Sequence, residues 1–592
     1  MKLSDYVFKF ISELGIDSVF MLPGGGAMHL VDSLGKSGLQ YICCLHEQAA
    51  AIEADAYAQY TGKIGITLVT TGPGGTNAIT GVAGAWIDSV PIMVISGQVK
   101  RQDMLKGTLL RQKGVQEVDI VSIVKPITKY AVTITEPESI RYELEKAVKI
   151  ATTGRPGPVW IDIPLDVQAA NIDEKNLKPF DGAVTQSYSQ DIEKLVDKAI
   201  RLVNNSRRPV IFAGNGIRLA KAIDEFLKLI DYLKFPVLTT WKSIDFLPED
   251  HELFAGRPGS IGQRGANFVL QNSDLLISIG ARLDLAQVGF NYKNLAPKAK
   301  KIIVDIDPAE IAKIDTIIDL PVCSDAGDFI REFLRQRQKI EQQERPQWIA
   351  WCRKMKEKYP VILPEYWKDK NYVNTYVFIE VLSELMNENE ILVPGSSGSC
   401  SEITMQAFKV KKGQRIFNNP GLGAMGYGLP ASIGACIASG RKKVVSIIGD
   451  GGLQHNIQEL ETVARLQLPL KIFILNNNGY ASIRNMQNGH FGGHLVACDP
   501  TSGLTLPDTC KIATAYGLKN MRIYNQENIK EKVKEVLESE GPFICDLMIN
   551  PDMPTAPRLV SQVMPDGSIV SKPLEDLWPF LDREEFKENM LD

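Results

Sequence analysis

Two apolar runs in this chain end on oxygen-bearing side chains. "SIIGDGGLQH" (446–455) breaks into Gly449-Asp450-Gly451, and "KIFILNNNGY" (471–480) stops on Asn476, Asn477 and Asn478. Both runs have the composition of buried strands, and in an open parallel sheet ligands gather beyond the C-terminal strand ends. The intervening "NIQELETVARL" reads as a helix, so the two strands are expected to be neighbours about 5 Å apart. Asn477 follows Asp450 by 27 residues. One carboxylate and one amide oxygen would then form part of a cage for Mg²⁺, which takes its other oxygens from a phosphorylated ligand, backbone carbonyls and water. Gly451 and Gly452 would let the backbone close on a diphosphate at the N-terminus of the following helix.

These residues need elements to hold them. At 592 residues the chain exceeds the roughly 250–300 residues at which a single core stops growing, so several domains are expected. Apolar content is 44%, charged content 23% and net charge −4, an ordinary globular profile with no basic field to attract nucleic acid or an anionic membrane. No run approaches the roughly 18–20 apolar residues of a membrane span. The N-terminus "MKLSDYVFKFISELGI" alternates at helical spacing without a signal-peptide block. Nine scattered cysteines include no CxxC pair, so neither a disulfide framework nor a zinc finger is indicated. A cytoplasmic protein with reduced thiols is expected.

Short β-branched runs alternate with amphipathic helical stretches, which predicts an α/β fold of three doubly wound parallel-sheet domains. The strands include 65–71, 91–97 and 158–164 in the first third, 209–216, 275–282 and 301–308 in the second, and 391–398, 443–451, 471–478 and 542–549 in the last. Domains are expected at 1–175, 190–335 and 372–555, followed by a tail or lid at 556–592. The stretches about 170–190 and about 336–372 read as linkers, the second carrying a charged helix expected to be solvated. The first and last domains could share an architecture.

The GDG stretch and its NN partner resemble the signature of thiamine diphosphate (ThDP) enzymes. Four more segments, "LHEQAAAIEADAYAQYTGKIGITLVTTGPGGTNAITGVAGAWIDSVPIMVISGQV" (45–99), "GRPGPVWIDIPLDV" (154–167), "IDIDPAEIAK" (304–313) and "GLGAMGYGLPASIGA" (421–435), look like acetolactate synthase catalytic subunits. The resemblance spans about residues 3–550. It implies that Asp450, Asn477 and the Gly479 carbonyl hold Mg²⁺ on the cofactor diphosphate, with Gly449, Gly451, Gly452, Gly398 and Gly423 around it. It places Glu47 of "HEQ" against N1′ of the cofactor's aminopyrimidine, with Gly24 and Gly25 of "PGGGAM" nearby, and Met425 wedged between the two rings. "GLGAMG" also fits G-x-G-x-x-G, but it follows "RIFNNP" rather than an apolar strand, so a dinucleotide fingerprint is not expected there. The resemblance makes the domains pyrimidine-binding, central FAD-type and diphosphate-binding. Arg155, Arg282 and Asp305 would line the flavin, although the same domain occurs without flavin in some relatives. In relatives Glu47 and the diphosphate site meet across a subunit interface, so a homodimer or homotetramer is implied.

The departures from acetolactate synthases concern the acceptor. Met486 stands where those enzymes carry a tryptophan, and Ala286 where they carry an arginine that grips the acceptor carboxylate. "AFQE" becomes "GVQE", so Val115 replaces a phenylalanine beside Gln116, and Gly398-Ser399-Cys400 replaces "GQH". A Lys/Arg-rich insertion, "KRQDMLKGTLLRQKG" (100–114), precedes Gln116. Losing a charge-assisted clamp costs a few kcal/mol of recognition, which argues against a second 2-keto acid as acceptor. His29, Gln116, Ala286, Ile483, Met486 and His490 are the candidate substrate residues. The expected reaction decarboxylates a 2-keto acid, pyruvate above all, and transfers its two-carbon unit to a carbonyl acceptor. That acceptor is either a second keto acid or the ketone of a nucleotide-activated deoxysugar. The competing readings are a flavin-linked pyruvate oxidase, a simple 2-keto acid decarboxylase and a non-catalytic ThDP-binding relative.

Overall fold

The computed structural model describes residues 1–105, 107, 109–182, 191–341 and 343–592. Residues 106 and 108 of the basic insertion, 183–190 of the first expected linker and 342 of the second lie outside the described residues.

Three six-stranded sheets, all parallel, follow one another along the chain. The first runs, in spatial order, Gln40–Cys43, Ser18–Met21, Gly65–Val69, Ile92–Gln98, Val159–Pro164 and Tyr130–Thr133. The third runs Arg415–Ile416, Ile391–Pro394, Val444–Gly449, Leu470–Asn476, Phe543–Met548 and Lys519–Ile523. Numbered along the chain, both sheets have the order 2-1-3-4-6-5, so the first and last domains share one topology. The middle sheet runs Leu320–Cys323, Lys300–Asp305, Leu275–Ile279, Pro209–Ala213, Val237–Thr239 and Phe254–Gly256. Its order, 3-2-1-4-5-6 read from the far edge, is that of dinucleotide-binding sheets. The central strands are buried on both faces, because helices cover both sides of a parallel sheet.

The first and third domains are joined through the helix Glu47–Thr61. Its residues Ala49 to Ala58 are all buried, which its alanine-rich sequence permits on every face. It packs on the helix Gly428–Ala438 of the third domain so closely that a Cβ on Gly434 would lie 2.3 Å from the Glu53 carbonyl oxygen. Only glycine fits there, and the seam behind Glu47 is correspondingly tight.

The charged stretch after residue 336 is not a solvated connector. Its helix, Pro346–Lys358, buries Trp348, Cys352 and Met355, which fall on one face at i, i+4 and i+7. Trp348 Nε1 donates to the Pro209 carbonyl at 2.9 Å, at the start of a middle-sheet strand. The helix therefore belongs to the middle layer. The last residues dock there too. Leu574 and Leu577 are buried, Asn267 Nδ2 donates to the Leu574 carbonyl at 2.7 Å, and Asn272 Nδ2 to that of Asn589 at 2.9 Å. Among the described residues, no helix is long and apolar enough to cross a membrane.

Candidate active site

In the third sheet the strand order reverses between Ile391–Pro394 and Val444–Gly449, and a doubly wound sheet binds its ligand at such a switch point. Asp450 emerges there. The strand Leu470–Asn476 lies alongside, with Gly449 opposite Leu475, which brings Asn477 next to Asp450. The Asp450 side chain is buried; its Oδ1 accepts the Gly451 N–H at 2.9 Å and its Oδ2 the Gly479 N–H at 3.1 Å. Burial pushes its carboxyl up to about 7, with those backbone donors offsetting part of the effect. Asn477 is buried as well, and its Oδ1 has no hydrogen-bond partner among the described residues. A buried orphan amide oxygen beside a buried carboxylate costs free energy until a cation joins them, and an all-oxygen donor set suits Mg²⁺. The residues fit the ion.

The loop that carries Asn477 is firmly held. Tyr480 N–H donates to the Cys498 carbonyl at 2.8 Å, and Arg484 Nη2 to the Asn477 carbonyl at 3.3 Å. Gly479 adopts φ +143°, and a Cβ on it would lie 2.2 Å from the Cys498 carbonyl oxygen. The segment after Asp450 departs from the single expected helix. It forms a four-residue turn Asp450–Leu453, a 3₁₀ turn Gln454–Asn456 and then the helix Glu459–Leu466. The short first turn, holding Gly451 and Gly452, offers little helix dipole. A better placed N-terminus is that of Ser399–Ala407, which follows Gly398 at the other side of the switch point. Gly423 and Met425 lie partly buried in the turn before Gly428–Ala438.

Glu47 opens the helix Glu47–Thr61 with its carboxylate buried, and Asn77 Nδ2 donates to Glu47 Oε2 at 3.0 Å. Among the described residues, no hydrogen bond joins that carboxylate to Asp450 or Asn477. Asn77 stands in "GPGGTNAITG", where no local pattern marks it as the partner of Glu47. Gly24 and Gly25 lie in the turn after Ser18–Met21, and His29, half-buried, sits on the helix Met28–Lys36 behind it. Gln116 is exposed with φ +63°, its carbonyl held against Gly72. Ile483, Met486 and His490 lie on the helix Ala481–His490, all exposed. The structure therefore groups the Asp450 set, and leaves Glu47, His29 and Gln116 on the first domain.

A cavity of about 1030 Å³ opens between the three domains, at the upper end of the range for cofactor sites. It sits at the middle sheet's own switch point, between Pro209–Ala213 and Leu275–Ile279, and reaches Gly398 of the third domain. Arg155, Arg282, Asp305 and Ala286 all line it. Arg155 pairs with Asp307 at 2.9 Å and Glu310 at 2.8 Å, and Arg282 with Glu310 at 3.3 Å. Burial raises the Asp305 carboxyl. One lining residue had no sequence signal. Lys242 ties the domains together, donating to Gln59 Oε1 at 2.6 Å and the Asn418 carbonyl at 2.9 Å and pairing with Asp88 at 3.3 Å. Of the basic insertion, Arg101 is engaged by Asp166 at 2.7 Å and Lys113 by the Gln102 carbonyl.

Three parallel-sheet layers, with a buried acid–amide pair at the third switch point, define a cofactor-dependent α/β enzyme. Family comparison makes the class specific. Residues 1–123 match the thiamine pyrophosphate enzyme N-terminal TPP binding domain, 196–333 the central domain and 396–547 the C-terminal TPP binding domain. The chain belongs to the thiamine pyrophosphate enzyme family and is a ThDP-dependent enzyme. Over 580 residues, covering 95% of both chains, it is 35% identical to the "Probable acetolactate synthase large subunit" of Methanocaldococcus jannaschii. It is 33% identical over 558 residues to the acetolactate synthase large subunit of Corynebacterium glutamicum (93% of this chain, 87% of that one). With that of Lactococcus lactis subsp. lactis it shares 32% over 575 residues, 96% of each.

Proposed function

We propose that this protein is a carboligase that decarboxylates pyruvate and adds the resulting two-carbon unit to a carbonyl acceptor. The observation that carries the cofactor half is the orphaned Asn477 Oδ1 beside the buried Asp450 carboxylate. Asp450, Asn477 and the Gly479 carbonyl would hold Mg²⁺ and, through it, the diphosphate of ThDP. When bound, ThDP supplies a nucleophilic carbon at C2 of its thiazolium ring. Glu47 holds and moves the proton at N1′, and Asn77 fixes the Glu47 carboxylate for that exchange. Met425, partly buried in the turn before Gly428–Ala438, would pack against the cofactor. Glu47 and the Asp450 set would meet on one cofactor through a second copy of the chain, in a homodimer or a larger homo-oligomer.

FAD is assigned to the three-domain cavity. Its size, its place at a dinucleotide-type switch point and the lining by Arg155, Arg282 and Asp305 support that assignment. Glu310 already draws on both guanidinium groups, so the flavin would compete for them.

The acceptor reading rests on Ala286. This position lines the cavity without a charged group, flanked by the exposed apolar side chains Leu285 and Phe290. Ala286 offers no charge to clamp a small carboxylate, and the nearby Arg282 is already paired with Glu310, which supports the ketone of a nucleotide-activated deoxysugar over a second keto acid. Because Arg101 and Lys113 are engaged locally, the insertion contributes less free charge toward a phosphate than its sequence suggests.

The test is to incubate the purified protein with ThDP, Mg²⁺, FAD and pyruvate, with and without candidate acceptors, and to identify products by mass. A sugar adduct is expected. Rapid acetolactate formation in the absence of sugar would overturn the acceptor reading, and rapid anaerobic flavin bleaching by pyruvate would favour an oxidase.

A further inference from the structure

We infer that Cys44, Glu53 and Glu459 form a divalent-metal site of zinc type at the seam between the first and third domains. All three side chains are buried, at 1%, 0% and 0% exposure, and one ligand atom from each lies within 4.8 Å of the others. Cys44 precedes the helix that Glu47 opens and Glu53 lies within that helix, while Glu459 opens the helix Glu459–Leu466 beyond the GDG turn. The site would pin the two halves of the cofactor machinery to each other from behind.

The spacing suits a metal. Cys44 Sγ lies 3.3 Å from Glu53 Oε2, and a tetrahedral zinc with sulfur at about 2.3 Å and oxygen at about 2.0 Å separates two such ligands by about 3.5 Å. Independently, Glu53 Oε1 is fully buried and has no hydrogen-bond partner among the described residues. Glu459 is already aimed. Its Oε1 accepts the N–H groups of Leu45 at 2.8 Å and His46 at 3.1 Å, and its Oε2 accepts Thr462 Oγ1 at 2.7 Å, the outer-shell support that ligating groups require. The nearby Arg465 guanidinium donates to the Cys43 carbonyl at 2.7 Å and makes no ion pair with either carboxylate among the described residues. Arg465 acts on both carboxyls only from beyond ion-pair distance, and two buried carboxyls and a thiol are costly to ionise without a closer cation.

A thiolate in the donor set selects zinc over magnesium or calcium, so this site is distinct from the all-oxygen Asp450 site. Burial raises the proton affinity of Cys44, Glu53 and Glu459. Zinc would therefore displace protons to solvent from the thiol and from whichever carboxyls carry them, and water would complete the fourth position.

The experiment is elemental analysis and zinc X-ray absorption on the full-length protein expressed with added zinc, together with growth on cobalt. About one zinc per chain is expected, with a single sulfur scatterer at about 2.3 Å. The cobalt protein should show a thiolate-to-cobalt charge-transfer band that Cys44→Ser abolishes, and Glu53→Gln, which alters a direct ligand, should weaken metal affinity by at least the roughly 10–100-fold that loss of an outer-shell partner causes. Zinc below a tenth of an equivalent, a sulfur-free zinc shell, or a cobalt band that survives Cys44→Ser would overturn the site. Should Cys44→Ser fail to fold, the absorption spectrum of the unaltered protein decides. None of these readouts depends on the proposed reaction.

Discussion

The Asp450 carboxylate accepts the Gly479 backbone N–H at 3.1 Å, joining the ends of two neighbouring strands across the top of the third sheet. That bond sets the path of the loop that presents Asn477, and Gly479 can follow it only because it lacks a Cβ. Gly479→Ala puts a methyl group 2.2 Å from the Cys498 carbonyl at φ +143°. A cost of at least about 3 kcal/mol is expected. Thermal unfolding of the cofactor-free protein should show the third domain's transition lowered by roughly 5–10 °C.

Asp450→Asn keeps the shape and removes the charge. With Mg²⁺ and ThDP at a hundred times their dissociation constant, the unaltered protein should gain about 2.7 kcal/mol of stability. The variant should gain almost none, and its cofactor-free stability should fall by about 1–3 kcal/mol, because an amide accepts only one of the two backbone N–H groups that the carboxylate holds. Differential scanning fluorimetry with and without cofactor reads both values.

Asp162 gives a pH signature on a different domain from Asp450. It is buried on the strand Val159–Pro164, between two neighbours in the first sheet, accepting Ser96 Oγ at 2.6 Å, Gln98 Nε2 at 3.2 Å and Thr133 Oγ1 at 3.1 Å. Burial pushes its carboxyl up from 3.8 to about 7, although these donors oppose the shift. Between those values the folded chain holds a proton that the unfolded chain has released. Stability therefore falls as pH rises through this window, by up to about 1.4 kcal/mol per unit. Asp162→Asn should flatten that part of the curve in denaturant titrations from pH 4 to 8.

Mixing two inactive variants tests whether the site is shared between copies. If Glu47 of one chain serves the Asp450 of another, co-refolding Glu47→Gln with Asp450→Ala yields mixed dimers with one intact site. About a quarter of full activity should return for random pairing. No recovery would place both residues in one chain's own site.

Much of the fold was legible. All ten sequence-read strands exist, because buried parallel strands are near-continuous β-branched runs. The strands that escaped are short or lie toward sheet edges, such as Gln40–Cys43, whose first two residues are exposed. The helix Pro346–Lys358 reads as solvated because five of its last six residues are charged, yet the stripe Trp348–Cys352–Met355 marks a buried face. In the site, Asp450 and Asn477 were visible as polar interruptions of apolar runs. Asn77 and Lys242 were not, since their roles come from contacts spanning 30 residues in one case and up to 183 in the other. No local pattern encodes such pairings.

The central claim is that Glu47 moves the proton that readies ThDP bound at the Asp450–Asn477 site. Its most direct measure is the rate of deuterium exchange at the thiazolium C2 of enzyme-bound ThDP, followed by acid quench and proton NMR. Glu47→Gln should slow that exchange by about 10²-fold or more while cofactor binding persists. An exchange rate equal to that of the unaltered protein, with cofactor equally bound, would contradict the account.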